Sequence, residues 1–338
     1  MMDRLLADNT MRAMSRHSEL IRIERSNLEI TRLALGTAAL GGLYTSVSDE
    51  DAEKVISTAL DAGINYFDTA PLYGHGLSEI RLGRALRSSG KKFIISTKVG
   101  RVLNTVEDSE KSWLFADAST KIEPVFDWSG EGIKRSILES LERLGLDHVD
   151  IVHMHDADDH VEEAIHSAFP VLAELRSQGI IKAIGTGLNR CKHSIKIMSE
   201  TDLDFALIAG RFTLLDQEAQ EVLFPLAIKM NVSILAGGVF NSGILANSTG
   251  SAKYDYLPAS DEIIEKVGNI RRFFADHSIP LTAAAIQFPL RHKAVAAVLA
   301  GPRNASEMTS IIDDFNLAIP QYVWEELGSS GLIAPLRS

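Results

Sequence analysis

Three short apolar runs in this 338-residue chain finish on a side chain that can hold or move a proton. Tyr66-Phe67 leads into Asp68, Ile94-Ile95-Ser96-Thr97 into Lys98, and Ile151-Val152-His153-Met154 into His155. A fourth group, Tyr73, lies in Ala70-Pro71-Leu72-Tyr73-Gly74, near enough to Asp68 for a loop to bend it back over the same end. A carboxylate can hold a lysine ammonium, and that ammonium favours tyrosinate. Asp68 and Lys98 are therefore expected to lower the Tyr73 phenol from its ordinary pKa of ~10 and make it usable as an acid or base nearer neutrality. A neutral His155 would orient a carbonyl or alcohol oxygen without adding charge. Each residue alone has a plainer reading: Asp68 capping a turn, Tyr73 packed at a rim, Lys98 solvated, His155 satisfied in the core. Four compatible residues on three strand-to-loop junctions are harder to obtain by accident. His153 shares the strand face of His155 and is expected deeper, as a polar core residue. Asp156 is expected to orient His155 or to bind a loop.

Other chemistries are poorly supported. His153-x-His155-Asp156 offers ligand types, but no further signal completes a coordination shell, so no metal is expected. The sequence has no Gly-x-Ser-x-Gly elbow, and Ser242 lacks an identifiable base. Nor does it have Gly-x-Gly-x-x-Gly after an early strand, which argues against a doubly wound dinucleotide-binding module.

To bring the four residues together, their strands must end on one face. Strand patterns fall at 33–36, 64–68, 93–98, 149–155, 181–185, 205–209, 232–236 and 295–299. Helical patterns alternate with them at 49–62, 78–88, 130–143, 161–178, 191–200, 217–229 and 260–277, and further ones at 282–291, 304–314 and 321–328 close the chain. This strand-helix alternation predicts a closed α/β barrel of the (β/α)8 type, in which strand ends converge on the catalytic face. Ser48 followed by Asp51 reads as a capping box for the first helix. The stretch 100–127 is unusually long for a βα-loop. With Trp113, Phe115 and Phe126 in it and Trp128 following, it reads as an ordered flap over a pocket. Residues 1–20 read as a polar leader of uncertain order, and 21–338 as a single barrel domain.

Composition narrows the partners. A formal charge of −11, from 45 acidic against 34 basic residues, does not suggest a nucleic-acid surface. Apolar runs fall short of a membrane span, and the charged, broken start does not resemble a secretion signal. Cys191 is the only cysteine, so no internal disulfide or thiolate cluster can form, and a structural thiol is its expected role. The expected location is cytoplasmic, as a monomer or homodimer.

At these residues the chain resembles the aldo-keto reductase family, in its aldose 1-dehydrogenase branch, over about residues 28–330. Phe67-Asp68-Thr69-Ala70-Pro71-Leu72-Tyr73-Gly74 is similar to the family's Asp/Tyr signature, Ser96-Thr97-Lys98 supplies its lysine, and Leu141-Glu142-Arg143-Leu144-Gly145-Leu146-Asp147 leads into the strand carrying His155. The resemblance implies an eight-stranded barrel, hydride transfer to or from a nicotinamide cofactor, and Asp68, Tyr73, Lys98 and His155 around the reacting group. It also implies a cofactor track. Gly36, Thr37 and Asp68 lie beside it. Asn189, in Gly185-Thr186-Gly187-Leu188-Asn189, is placed at the carboxamide, although this segment departs from the commoner Gly-x-Ser-Asn form. Phe212 matches the aromatic that stacks on nicotinamide, with core packing as its plainer role. Ser242 and Gly243 match the pyrophosphate loop, and Gly301 and Arg303 the adenosine-phosphate region. Arg303 suits a 2′-phosphate, whereas Glu307 would repel one. With the branch resemblance, Glu307 points to NAD, NADP use being left open. The implied reaction is oxidation of an aldose hemiacetal hydroxyl to a lactone, on sugars such as L-fucose, L-galactose or D-arabinose. Tyr73, His155, Phe126 and Trp128 are the expected substrate contacts. Pyridoxal oxidation and NADPH-dependent aldehyde reduction are the enzymatic alternatives, and a nucleotide-sensing interaction protein is a more distant one.

Overall fold

The computed structural model describes residues 16–246 and 253–337. Of the expected leader, residues 1–15 lie outside the described residues. Arg16–Ser18 form a 3-10 turn in which His17 is buried, its Nε2 2.9 Å from the Ala62 carbonyl. An antiparallel hairpin follows, β1 (Leu20–Ile23) paired with β2 (Leu28–Thr31). The sequence reading did not single it out. Its buried Ile23, Leu28 and Ile30 cluster with Tyr66, Ile151, Ala183 and Phe205, the first residues of four barrel strands, so the hairpin plugs the barrel's N-terminal end.

The barrel itself consists of β3 (Leu33–Gly36), β4 (Tyr66–Asp68), β5 (Ile94–Val99), then, past a hairpin of β6 (Arg101–Thr105) and β7 (Ile122–Phe126), β8 (Ile151–His155), β9 (Ala183–Leu188), β10 (Phe205–Ala209) and β11 (Ser233–Gly237). A small hairpin of β12 (Lys253–Tyr254) and β13 (Leu257–Pro258) precedes the last barrel strand, β14 (Val295–Ala300). All eight barrel strands run parallel, and β14 closes on β3 through Val298↔Leu33, Leu299↔Ala34 and Ala300↔Leu35. They fall on the eight segments read from the sequence. The larger part of the core lies between barrel and helices, as alternation along buried parallel strands requires.

The helices follow their signals closely. Asp49–Asp61 begins at Ser48, whose hydroxyl accepts from the Asp51 N–H at 3.0 Å. The 161–178 pattern is not one regular helix. Val161–Glu163 passes through a π turn, Ala164–Ala168, into Phe169–Ser177. Pro170 explains the widened turn, since it has no N–H to donate and its ring crowds the preceding turn.

The long 100–127 stretch is ordered, as expected, because β6 and β7 form a hairpin whose tip is tied down. Tyr44 N–H donates to the Leu114 carbonyl at 2.9 Å, Ala116 N–H to Gly42 at 2.8 Å, and Val47 N–H to the Asp117 carboxylate at 3.0 Å. Among the described residues no helix is long and apolar enough to cross a membrane.

Candidate active site

The ends of β4, β5 and β8 bring Asp68, Lys98 and His155 to one place, and each is buried. Lys98 Nζ donates to Asp68 Oδ2 at 2.6 Å and to the Thr69 carbonyl at 2.8 Å, while Ser96 Oγ donates to Asp68 Oδ1 at 2.6 Å. Tyr73 is folded back over this pair. Its ring centroid lies 4.8 Å from Lys98 Nζ and 5.7 Å from the His155 ring, edge to face. Two glycines allow the loop to turn so closely. A Cβ on Gly41 would lie 2.6 Å from the Tyr73 carbonyl carbon, and one on Gly74 (φ +63°) 2.5 Å from the Gly41 oxygen.

Strand β9 makes room from the opposite side. A Cβ at Gly185 would meet His153 Nδ1 at 2.2 Å, and one at Gly187 would contact the Lys98 stem at 3.5 Å. His153 takes the deeper position: it is fully buried, with Nε2 3.5 Å from the Tyr66 hydroxyl and 4.0 Å from Asp68 Oδ1.

Burial dominates the electrostatics. It pushes the His155 ring down to about 3 and the His153 ring to about 4, so both imidazoles are neutral at ordinary pH. The Tyr73 phenol is held well above its ordinary pKa by burial, then by the charges of Asp68 and Asp156, with Arg101 opposing. This corrects the expected direction. The Lys98 ammonium is committed to Asp68 and Thr69, and the phenol feels the two carboxylates Asp68 and Asp156 more than the lysine. Burial also raises the Cys191 thiol to about 12, leaving a structural thiol rather than a nucleophile.

Tyr73, Lys98 and His155 open onto a cavity of about 210 Å³. Leu72, Leu188 and Leu207 line it with Asp156 and Asn189, and Trp113, Leu114, Phe115 and Tyr256 cover it. A more open hollow of about 530 Å³, between Glu262–Asn269 and the C-terminal segment, holds none of the four residues. The cover comes from the expected loop but from different side chains. Phe126 and Trp128 do not line the cavity. They stack on each other at 6.3 Å outside it, where Trp128 fills the space over Gly100 and Phe126 lies against His160 at 4.5 Å. Trp113 and Phe115 take their place because the hairpin tip, not its root, reaches back over Tyr73, with the Phe115 ring 6.0 Å from that of Tyr73.

The cofactor-track residues divide similarly. Asn189 lines the cavity and donates from Nδ2 to Asp156 Oδ1 at 3.0 Å. Phe212 lies outside that lining, its ring against those of Phe224, Phe288 and His292 with centroids 4.7, 5.2 and 5.8 Å away. Thr37 N–H and hydroxyl both donate to the Asp68 carbonyl, at 2.9 and 3.0 Å. Gly301 sits against Gly36, where a Cβ would come 3.3 Å from the Gly36 oxygen. Ser242 and Gly243 form a left-handed turn, and the Ser242 hydroxyl accepts from the Tyr256 N–H at 3.0 Å. Arg303 and Glu307 are paired, Nη2 to Oε1 at 2.6 Å, with the Arg303 N–H donating to Glu307 Oε2 at 2.8 Å.

The polar groups at the ends of β9, β11 and β14 fit a nicotinamide dinucleotide. In particular, the buried Asn241 Oδ1, beside Ser242, has no partner among the described residues and is an acceptor free for a ribose hydroxyl or an amide N–H. Among the described residues no three His, Cys, Asp or Glu side chains gather as a metal-ligand group.

The chain is similar to known proteins over most of its length. Over 94% of its length the chain is 38% identical to a pyridoxal 4-dehydrogenase from Microbacterium luteolum, of which 98% is covered. Over 91% it is 39% identical to a D-threo-aldose 1-dehydrogenase from a Pseudomonas species, covering 96% of that protein. The solved structure of a glycerol dehydrogenase from Gluconobacter oxydans superposes with a TM-score of 0.74 at 25% identity, covering 92% of this chain and 94% of the other. The aldo/keto reductase family model matches residues 32–331, and the chain therefore belongs to this family of oxidoreductases, which work with NAD or NADP.

Proposed function

We propose that the protein oxidises the C1 hydroxyl of a cyclic aldose to the lactone, with NAD as hydride acceptor. The observation that carries this reading is the convergence of Tyr73, the Lys98–Asp68 pair and a neutral His155 on one small cavity. When bound, the nicotinamide supplies the site that takes up the hydride. His155, uncharged, holds the reacting oxygen, and Tyr73 as phenolate accepts its proton; in the reverse direction the phenol returns it. Lys98 and Asp68 set the charge beneath the phenol and form no covalent bond to substrate.

The cavity volume lies below the roughly 300–1,000 Å³ common for drug-sized ligands, which suits a monosaccharide. Asn189 is the proposed carboxamide partner, Ser242 and Gly243 lie on the pyrophosphate side, and Gly36, Thr37 and Gly301 border the track. Arg303 is already satisfied by Glu307, so a 2′-phosphate would have to break that pair, and this supports NAD. The aromatic cover of Trp113, Phe115 and Tyr256, with the 38% identical pyridoxal 4-dehydrogenase, favours pyridoxal as the second reading.

A matched panel of aldoses, pyridoxal and simple aldehydes, each with NAD and NADP at equal ionic strength, tests the proposal. Lactone formation from an aldose with preference for NAD is expected. Efficient pyridoxal conversion with negligible aldose turnover would overturn the substrate.

A further inference from the structure

The tetrad does not use the second charged pair at the cavity. Asp156 is the only carboxylate among the described residues that line it. It directly follows His155 in a left-handed backbone conformation (φ 48°), which aspartate adopts more readily than most residues. Its Oδ2 accepts from Arg101 Nη1 at 3.0 Å, and its Oδ1 accepts from Asn189 Nδ2 at 3.0 Å. The Arg101 guanidinium is itself fixed, 4.0 Å over the Phe126 ring. Burial works against ionisation of Asp156, but the charge and hydrogen bond of Arg101 and the hydrogen bond from Asn189 favour the carboxylate, and its carboxyl lies below the usual range.

A charged brace is a weak reason to bury such a pair, since an apolar pair of similar volume commonly stabilises a fold as well. Two of roughly four acceptor positions on the carboxylate are taken, which leaves capacity for a donor from the cavity. Asp156 Oδ1 lies 3.7 Å from His155 Nε2, a spacing that suits two oxygens on adjacent carbons.

We infer that Asp156 is a specificity-determining residue, accepting a hydrogen bond from the substrate hydroxyl on the carbon next to the reacting one. This rests on the aldose reading and narrows it to 2-hydroxy hemiacetals. Arg101 keeps the carboxylate charged, and Asn189 fixes its orientation. A substrate without that hydroxyl leaves the remaining acceptor capacity of the buried, charged carboxylate unfilled in a site closed to water, and is discriminated against for that reason.

The test compares the best aldose of the panel with its 2-deoxy counterpart; for D-arabinose this is 2-deoxy-D-ribose. The wild-type protein is expected to show kcat/KM at least about tenfold lower for the 2-deoxy sugar. Asp156→Asn should lower kcat/KM for the aldose, mainly through KM, by clearly more than for the 2-deoxy sugar, so that the ratio collapses; any change common to both sugars reports its contacts with Asn189 and the Tyr73 field instead. Asp156→Glu, which keeps the charge, should restore part of the discrimination. Equal losses on both sugars would overturn the inference and make Asp156 a structural brace. So would a wild-type protein that does not discriminate, a comparison that needs no variant to fold. Absence of turnover on every aldose would instead overturn the functional reading, and this inference with it.

Discussion

The floor and the cover of the cavity are built on different principles. The floor is carried by strand ends: Asp68, Lys98 and His155 are 2%, 1% and 8% exposed, and each is held by the barrel's own ladder. The cover is carried by two hairpins. Trp113 is 75% exposed and Tyr256 39%, each at a turn rather than in a ladder. A barrel can thus keep proton chemistry rigid while the residues that meet the rest of a substrate vary on loops.

The largest expected effect is in the floor. Tyr73→Phe should reduce single-turnover hydride transfer by ~10²–10⁴-fold while cofactor binding stays measurable, because the ring remains and only the proton carrier is lost. Because the folded site raises the phenol pKa, oxidation by the wild-type protein should accelerate as pH rises and phenolate forms. A pH-independent oxidation rate, or a phenylalanine variant close to wild type, would remove Tyr73 from the mechanism.

The floor should also be acid-sensitive. Both histidines have folded-state pKa values below the ordinary 6.5, about 4 for His153 and about 3 for His155. The unfolded chain therefore binds protons that the folded one refuses. Their contribution is complete above pH 6.5 and is lost as pH falls toward those values. Each should lower stability by ~1 kcal/mol per pH unit within that window. Denaturant unfolding at pH 7, 6 and 5 would show it, and equal stability at pH 7 and 5 would refute neutral buried imidazoles.

Changes in the cover should be milder and differ in kind. Trp113→Ala should raise KM for the preferred substrate by ~10-fold with little change in kcat or melting temperature, since an exposed rim aromatic contributes binding area rather than fold stability. A fall in kcat with unchanged KM would place Trp113 in the chemistry instead. The smallest effect is expected farthest out. Glu307→Gln frees Arg303 and should shift the NADP-to-NAD preference several-fold toward NADP, about the size of one exposed charge interaction. Steady-state titrations with both cofactors check this, and an unchanged ratio would remove Glu307 from cofactor choice.

The floor was legible in the sequence because local signals coincide there. Apolar runs ending in Asp68, Lys98 and His155 mark strand ends, and barrel closure forces such ends together. The Ser48 cap was legible for the same local reason. The β1–β2 hairpin went unread although Leu20-Ile21-Arg22-Ile23 and Leu28-Glu29-Ile30 alternate around Arg25-Ser26-Asn27, a weak signal on short strands. That Trp113 and Phe115 rather than Phe126 and Trp128 line the cavity was not legible, because an aromatic in a long loop carries no information on where the hairpin turns. Tyr256 had no sequence signal at all, since its position depends on β12–β13 meeting the Ser242 turn.

By itself, then, the sequence determined the strand-helix alternation and the four strand-end and turn residues. All of these follow from periodicity and local backbone sterics. The tertiary structure alone decided which aromatics cover the cavity, the need for glycine at 41 and 74, that the Tyr73 phenol is raised rather than lowered, and that Asp156 shares a wall with His155. Those properties are sums over neighbours distant in the chain: burial and the field of two carboxylates set a pKa, and the docking of one loop on another sets a surface.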